Sequence, residues 1–385
     1  MEESKKKKRN LKSLLSTITF FLVCFSLGIF MGRFLGKNTS SEKDWGHILF
    51  VFAFTAVTFY LSNLLQIIVH EAGHLVCGLL TGYKFSSFRI GSFMWIKENG
   101  KLHLKRYSLA GTGGQCLMAP PDLQDGKMPY RLYNLGGSLA NLLLSAICLL
   151  LFLFCREYRY LSLFLMICAA IGLMLALLNG IPLRIQNMDN DGYNALNLGK
   201  DTDAIKAFWL QLKTNQELSL GKRLKDLPEE WFSLPPESKM NNSIIASVAV
   251  FRCNYLMDHG KYEEADALME ELLQKETGMV GIHRHLLIND RIYCKIINKC
   301  SKELIDELLT KEQITFMKSM KTNLGILRTG YLYTKYIQKD EELAQKVMDA
   351  FEKAARVYPY PQDIVSEREL IAYATHVLEP NETVS

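Results

Sequence analysis

Long apolar runs dominate the first half of the chain, and a mixed polar pattern with helical spacing takes over after about Asn187. Four runs stand out, at residues 14–32, 48–80, 135–154 and 161–178, each long enough at 1.5 Å per residue to cross or nearly cross a hydrocarbon layer of roughly 30 Å. The first follows a basic cluster, as a signal peptide would. It is long enough to span, no small-residue cleavage site closes it and further apolar runs follow, so it reads as a span. The second covers 33 residues, about 50 Å as a helix. It must tilt, protrude or break, and Ser62-Asn63 offers a breaking point.

Between the second and third runs, residues 85–96 and 102–109 are rich in aromatic, β-branched or apolar residues and flank Asn99-Gly100. That pattern predicts a β-hairpin, since Asn-Gly tolerates the positive φ of a tight turn. Gly111-Thr112-Gly113-Gly114 and Pro120-Pro121 read as irregular connection. The glycines do not read as a phosphate loop, because no Gly-Lys-Ser/Thr follows. From about residue 201 the pattern is helical hairpins: 243–259 and 262–274 form a pair with Gly260 as C-cap between them. The stretches around Ala265 and Ala344 each resemble part of a tetratricopeptide repeat. They lie 79 residues apart, which is no multiple of about 34, so an irregular helical array or a plain helical bundle is expected.

Composition alone hides this division. The 385 residues carry a net charge of +5, 49% hydrophobic residues and a mean hydropathy of +0.03, averages that blend a lipid-facing half with a water-facing one. Nine cysteines, an odd number without short paired spacings, argue against a disulfide framework or a cysteine zinc site. Basic residues gather at the N-terminus (Lys5 to Lys8, Arg9, Lys12) and not along a groove with aromatics, so nucleic acid is not expected as a partner. The loop between the second and third runs carries eight Lys or Arg, against four in the two links on the other side. The bias puts the N-terminus, the large loop and the C-terminal half in the cytoplasm. The predicted class is mainly α: a polytopic membrane helix bundle of about four spans with a small β-hairpin in a cytoplasmic loop, plus a soluble, repeat-like α-helical domain. The boundaries are a basic N-terminus 1–13, a membrane domain 14–194 and a helical domain 195–385.

Candidate chemistry sits at the end of the second run, in His70-Glu71-Ala72-Gly73-His74. Residues four apart share one helix face, so both imidazoles can meet one zinc ion, with Glu71 beside them to take a proton from water. Composition makes such a pattern expected only about 0.02 times by chance. Three ionisable side chains in a membrane segment also need compensation, at roughly 2.5–3.5 kcal/mol each at mid-bilayer. A metal is the simplest partner; the bland alternative is an interfacial polar cluster. A catalytic site needs a third protein ligand. His283 and His285, two apart, point away from each other on a helix, and His47, His103, His259 and His376 are isolated; all six read as surface or interfacial.

The fourth run ends in Asn179-Gly180-Ile181-Pro182, and Asp191-Gly192 follows. With the His70–His74 motif, this pattern resembles the site-2 proteases, intramembrane zinc metallopeptidases marked by H-E-x-x-H in one membrane helix and N-x-x-P…D-G at a later one. The resemblance covers roughly residues 48–194. It implies an endopeptidase acting on a membrane-embedded or membrane-adjacent protein or peptide, with zinc held by His70, His74 and Asp191 and Glu71 as the base. Gly137-Ser138-Leu139-Ala140-Asn141 resembles the family's G-P-x-x-N element, which makes Asn141, with Asn179, a candidate for substrate binding. Two departures stand out. Ser138 replaces the usual Pro, and the acidic residue lies ten (Asp189) or twelve (Asp191) positions after Asn179 where eight is usual, so Asp189 remains an alternative ligand. Asp191 is favoured because Gly192 permits a tight turn. Asn141 reads equally well as a helix–helix hydrogen-bonding residue. The expected setting is a bacterial cell membrane, with a possible cytoplasmic protein or peptide bound by the helical tail. A catalytically silent peptide-binding or scaffold relative is the alternative; a zinc transporter would want ionisable residues on several spans.

Overall fold

The computed structural model describes residues 45–98, 100–107, 112–185 and 188–379, with isolated helical positions between 18 and 36. The predicted first span and the basic N-terminus otherwise lie outside the described residues. Among the described residues, three helices are long and apolar enough to cross a membrane: α1 (Trp45–Leu80), α2 (Arg131–Phe154) and α3 (Arg159–Gly180). Helix α1 runs unbroken for 36 residues, about 54 Å. The possible break at Ser62-Asn63 is not taken: neither proline nor glycine stands near that point, and Ser62 turns inward, 0% exposed. The surplus length carries His70 and His74 to the far end of the helix.

The three helices pack polar side inward. Ser62, Gln66, Asn141 and Ser145 are buried, while Leu49, Phe52, Phe59, Leu142, Leu143 and Leu150 are exposed. Lipid is as apolar as leucine, so helices meet there through small residues and hydrogen bonds. Gly73 and Gly136 show it: a Cβ on Gly73 would stand 2.2 Å from the Gly136 carbonyl oxygen, and one on Gly136 would stand 2.4 Å from that of Gly73. Helices α1 and α2 thus cross with backbones touching.

The loop after α1 forms a four-stranded antiparallel sheet: β1 (Lys84–Ile90), β2 (Phe93–Glu98), β3 (Lys101–Arg106) and β4 (Gly114–Ala119), in the order β3-β2-β1-β4. Two expectations are corrected here. The single strand expected over 85–96 is divided by a turn at Gly91, whose φ of +56° suits glycine. The glycine-rich segment read as irregular enters β4 at Gly114, which pairs with Ile90. The turn at Gly100 (φ +79°) joins β2 and β3 as expected.

After α3, a short hairpin of β5 (Arg184–Ile185) and β6 (Met188–Asp189) leads into α4 (Asp191–Asn197). Helices follow: α5 (Thr202–Ser219), α6 (Ser243–Asp258), α7 (Tyr262–Gln274), α8 (Gly281–Ile297), α9 (Lys302–Leu308), α10 (Lys311–Ser319), α11 (Leu324–Leu332), α12 (Glu341–Ala355) and α13 (Pro361–Leu378). The α6–α7 pair matches the hairpin expected there, with Gly260 at φ +71°. One apolar cluster joins Ala204, Ile205 and Phe208 of α5 to Cys116 and Met118 of β4 and to Tyr133 of α2. The chain then returns to the sheet, where Lys105 Nζ donates to the Pro359 carbonyl at 2.9 Å and the Tyr107 and Tyr358 rings meet edge to face.

Candidate metal centre

Helical spacing puts His70 and His74 on one face of α1, their Nε2 atoms 3.2 Å apart. Asp191, first residue of α4, brings its Oδ2 to 3.3 Å from each Nε2. Three donors thus converge. Donors around a tetrahedral zinc with bonds of about 2.0–2.1 Å stand about 3.3–3.4 Å apart, so the residues present fit the ion.

The second ring nitrogen of each histidine is also tied. His74 Nδ1 lies 2.8 Å from the Tyr133 carbonyl oxygen, and His70 Nδ1 lies 2.7 Å from Asn141 Oδ1. Both partners accept, so both Nδ1 atoms donate and both Nε2 lone pairs face Asp191. Asn141 is fully buried and donates to the Gln66 carbonyl and Oε1 at 2.8 and 2.7 Å, while Gln66 Nε2 donates to the Cys168 carbonyl at 2.9 Å. That is the helix–helix bonding alternative for Asn141: its carboxamide links α1 to α2 behind the histidine. Gln66 was not legible as part of the site, nor was Gly137, where a Cβ would stand 2.5 Å from the His70 ring.

Glu71 is buried beside β4, and a Cβ on Gly114 would come within 2.7 Å of its carboxylate. Arg89 of β1, 1% exposed, donates to the Gly91 carbonyl at 2.7 Å, to Thr112 Oγ1 and to the Gly114 carbonyl at 3.3 Å. It pins the start of β4 next to Glu71, and no sequence signal marked it.

The two candidate aspartates part company. Asp189, in β6, takes bonds from Arg184 at 2.5 and 2.9 Å and from Ser243 Oγ at 2.7 Å, which turn its carboxylate away from the histidines. The β5–β6 hairpin absorbs the extra residues. Asn190 caps α4 through the Tyr193 amide and donates to the carbonyls of Leu178 and Ile181, tying α4 to the end of α3. Gly192 is not at a positive-φ turn, which corrects the reason for favouring Asp191. It sits inside α4, and a Cβ there would meet the Gly180 carbonyl oxygen at 2.2 Å. Close approach is what requires glycine. Asn179 bonds back to the Leu175 carbonyl at 3.0 Å, and its own carbonyl lies against Gly192. His283, expected at the surface, is half-buried with an unpartnered Nδ1. His285 pairs with Gln313 and stacks on Phe316.

No curated protein and no solved structure matches the chain. The family model for peptidase family M50 does, over residues 58–358, more than three quarters of the length and all of the centre just described. With its apolar helices and its His-His-Asp group, the chain belongs to peptidase family M50, the site-2 protease family of membrane metallopeptidases.

Proposed function

We propose that the protein is an intramembrane zinc endopeptidase that cleaves a membrane-embedded or membrane-adjacent protein or peptide. The observation that carries this reading is the triangle of His70 Nε2, His74 Nε2 and Asp191 Oδ2, with sides of 3.2, 3.3 and 3.3 Å. When bound there, zinc supplies Lewis acidity and makes water a nucleophile near neutral pH. The chain's own groups do the rest. Glu71 takes a proton from the attacking water as its oxygen bonds to the scissile carbonyl carbon, then passes that proton to the amine nitrogen as the C–N bond breaks. Asn141 and the Tyr133 carbonyl hold the two imidazoles in one tautomer and orientation.

A helical substrate hides its carbonyls in its own hydrogen bonds, so it must unwind before attack. In our reading the unwound segment adds as a strand to the outer edge of β4, the edge strand beside Glu71. The charge bias supports a cytoplasmic sheet and helical domain. The deciding experiment compares purified wild type with Glu71→Gln on a substrate found by membrane proteomics. Loss of cleavage with metal retained supports the mechanism, and equal cleavage overturns it.

A further inference from the structure

Tyr133 touches the candidate metal centre and the candidate substrate edge at once. Its main-chain carbonyl accepts from His74 Nδ1 at 2.8 Å, and its hydroxyl donates to the main-chain carbonyl of Cys116, in β4, at 3.0 Å. Cys116 follows by two positions the glycine pressed against Glu71, Gly114.

The strand register shows which edge that carbonyl belongs to. In an antiparallel pair, opposed residues alternate between those that exchange main-chain bonds and those whose main-chain groups point away from the neighbour. The Gly91 amide donates to the Gly113 carbonyl at 2.8 Å, while Ile90 lies opposite Gly114 and Phe88 opposite Cys116. Gly113 thus faces β1, and by alternation Gly114 and Cys116 turn their main-chain groups to the outer edge, where the sheet ends. The Tyr133 hydroxyl therefore sits on the edge to which an unwound substrate would add. Burial changes at the same point: Thr112 and Gly113 are exposed, Gly114 and Gln115 half-buried, and Cys116, Met118 and Ala119 buried. Beyond Cys116 the membrane helices close over the strand, for a Cβ on Gly78 of α1 would stand 2.4 Å from Met118 Sδ and 3.2 Å from the Tyr133 ring.

A strand that adds to an edge pairs with its outward amides and carbonyls in turn. Beside Glu71 that edge is open: Gly114 is half-buried, and its carbonyl receives only a 3.3 Å contact from Arg89. At the next outward residue, Cys116, the carbonyl is buried under the Tyr133 hydroxyl. Side chains alternate between faces, so an added strand that keeps the same face inward slips only in steps of two residues. The first such step past Gly114 is the one that Tyr133 blocks.

We propose that Tyr133 is a positioning residue that sets which peptide bond of the substrate meets Glu71, its hydroxyl ending the open edge of β4 at Cys116 while its carbonyl orients His74. The proposal rests on the peptidase reading and its substrate strand at β4. Tyr133→Phe removes the hydroxyl and keeps the ring and the carbonyl. The Cys116 carbonyl is then buried without a partner, and a substrate amide that slips two residues along satisfies it, so the slipped register should gain about tenfold in population. Full-length protein in nanodiscs is given a peptide of about 24 residues, leucine and alanine around a central Ser-Gly pair that weakens its helix, and mass spectrometry reads the bonds cut. Wild type should cut one bond. Tyr133→Phe should add a cut two residues away, its share raised about tenfold over wild type, with zinc content unchanged. Tyr83→Phe removes a hydroxyl from the same stacked pair of rings, one that points to Met128 Sδ at 3.8 Å, and should cut as wild type does. A single unchanged cut in Tyr133→Phe, loss of its zinc, or equal spreading in Tyr83→Phe would overturn the proposal. A second arm needs no catalysis. In Glu71→Gln protein with the photo-crosslinking residue benzoylphenylalanine in place of Gln115, light should join it to one peptide position, and to two positions two residues apart once Tyr133→Phe is added. One position in both, or no crosslink, would overturn the proposal. A change from one position to two in a protein whose Glu71 form cuts nothing would overturn the peptidase reading and leave the role of Tyr133 standing.

Discussion

His70 Nε2 and Asp191 Oδ2 stand 3.3 Å apart although one belongs to a spanning helix and the other opens a short helix after the β5–β6 hairpin. The same carboxylate oxygen is equally far from His74 Nε2. A carboxylate so placed cancels much of the charge of a divalent ion in a poorly solvated site. We predict that Asp191→Asn loses most of its bound zinc and nearly all activity. Asp189→Asn should keep its metal and lose stability, by about 3 kcal/mol at most, because Arg184 would be left without its partner. Metal stoichiometry on both purified variants checks this; loss in Asp189→Asn alone would reverse the assignment.

Glu71→Gln keeps the size of the side chain and removes its basicity. Cleavage should fall by roughly 10²–10⁴-fold with zinc content unchanged. A single-turnover assay beside metal analysis separates this outcome from a collapsed site.

Asn141 gives His70 its acceptor at 2.7 Å. Replacement by leucine frees the ring and leaves Gln66 without its donor, so zinc affinity should drop on the order of 10–100-fold. Competition with a fluorescent chelator measures it. Unchanged affinity would make Asn141 a packing residue only.

Gly73→Ala forces a Cβ against the Gly136 carbonyl. The helices must part, so we expect a loss of roughly 1–3 kcal/mol and a disturbed metal site, since His70 and His74 flank the contact. Gly281→Ala, where a Cβ meets nothing within 4 Å, serves as the control. Equal melting temperatures for the two variants would refute the close crossing.

Asp363 titrates at about 7 instead of 3.8, because of burial first and then its neighbours Glu367 and Asp258. Folding therefore favours its protonated form. Its presence costs little below pH 4, the cost grows as pH rises from about 4 to 7, and it levels off above. Asp363→Asn should accordingly stabilise the protein by roughly 2–3 kcal/mol more at pH 8 than at pH 5. Thermal melts at both values test it, and an equal effect at both would show that Asp363 is not perturbed.

The chemistry that lies within one helical turn was legible from the chain. His70, Glu71 and His74 need only the 3.6-residue period to share a face, and the apolar runs predict α1, α2 and α3 because lipid demands helices of that length. The place of Asp191 beside the histidines matches its motif, though Gly192 serves a close helix contact and not a tight turn, while Asp189 is held by Arg184 and Ser243, one of them 54 residues away. The sheet was half legible. Asn99-Gly100 announces a turn, whereas Gly91 inside an apolar stretch and Gly114 inside a glycine run carry strand boundaries that depend on pairing with distant partners. Arg89, Gln66 and the bond from Tyr133 to Cys116 had no local signal at all. Tyr133 belongs to α2 and Cys116 to β4. Each looks like an ordinary residue of its own element until packing buries it beside the other, for burial and pairing belong to the assembled fold and leave no periodic trace along the chain.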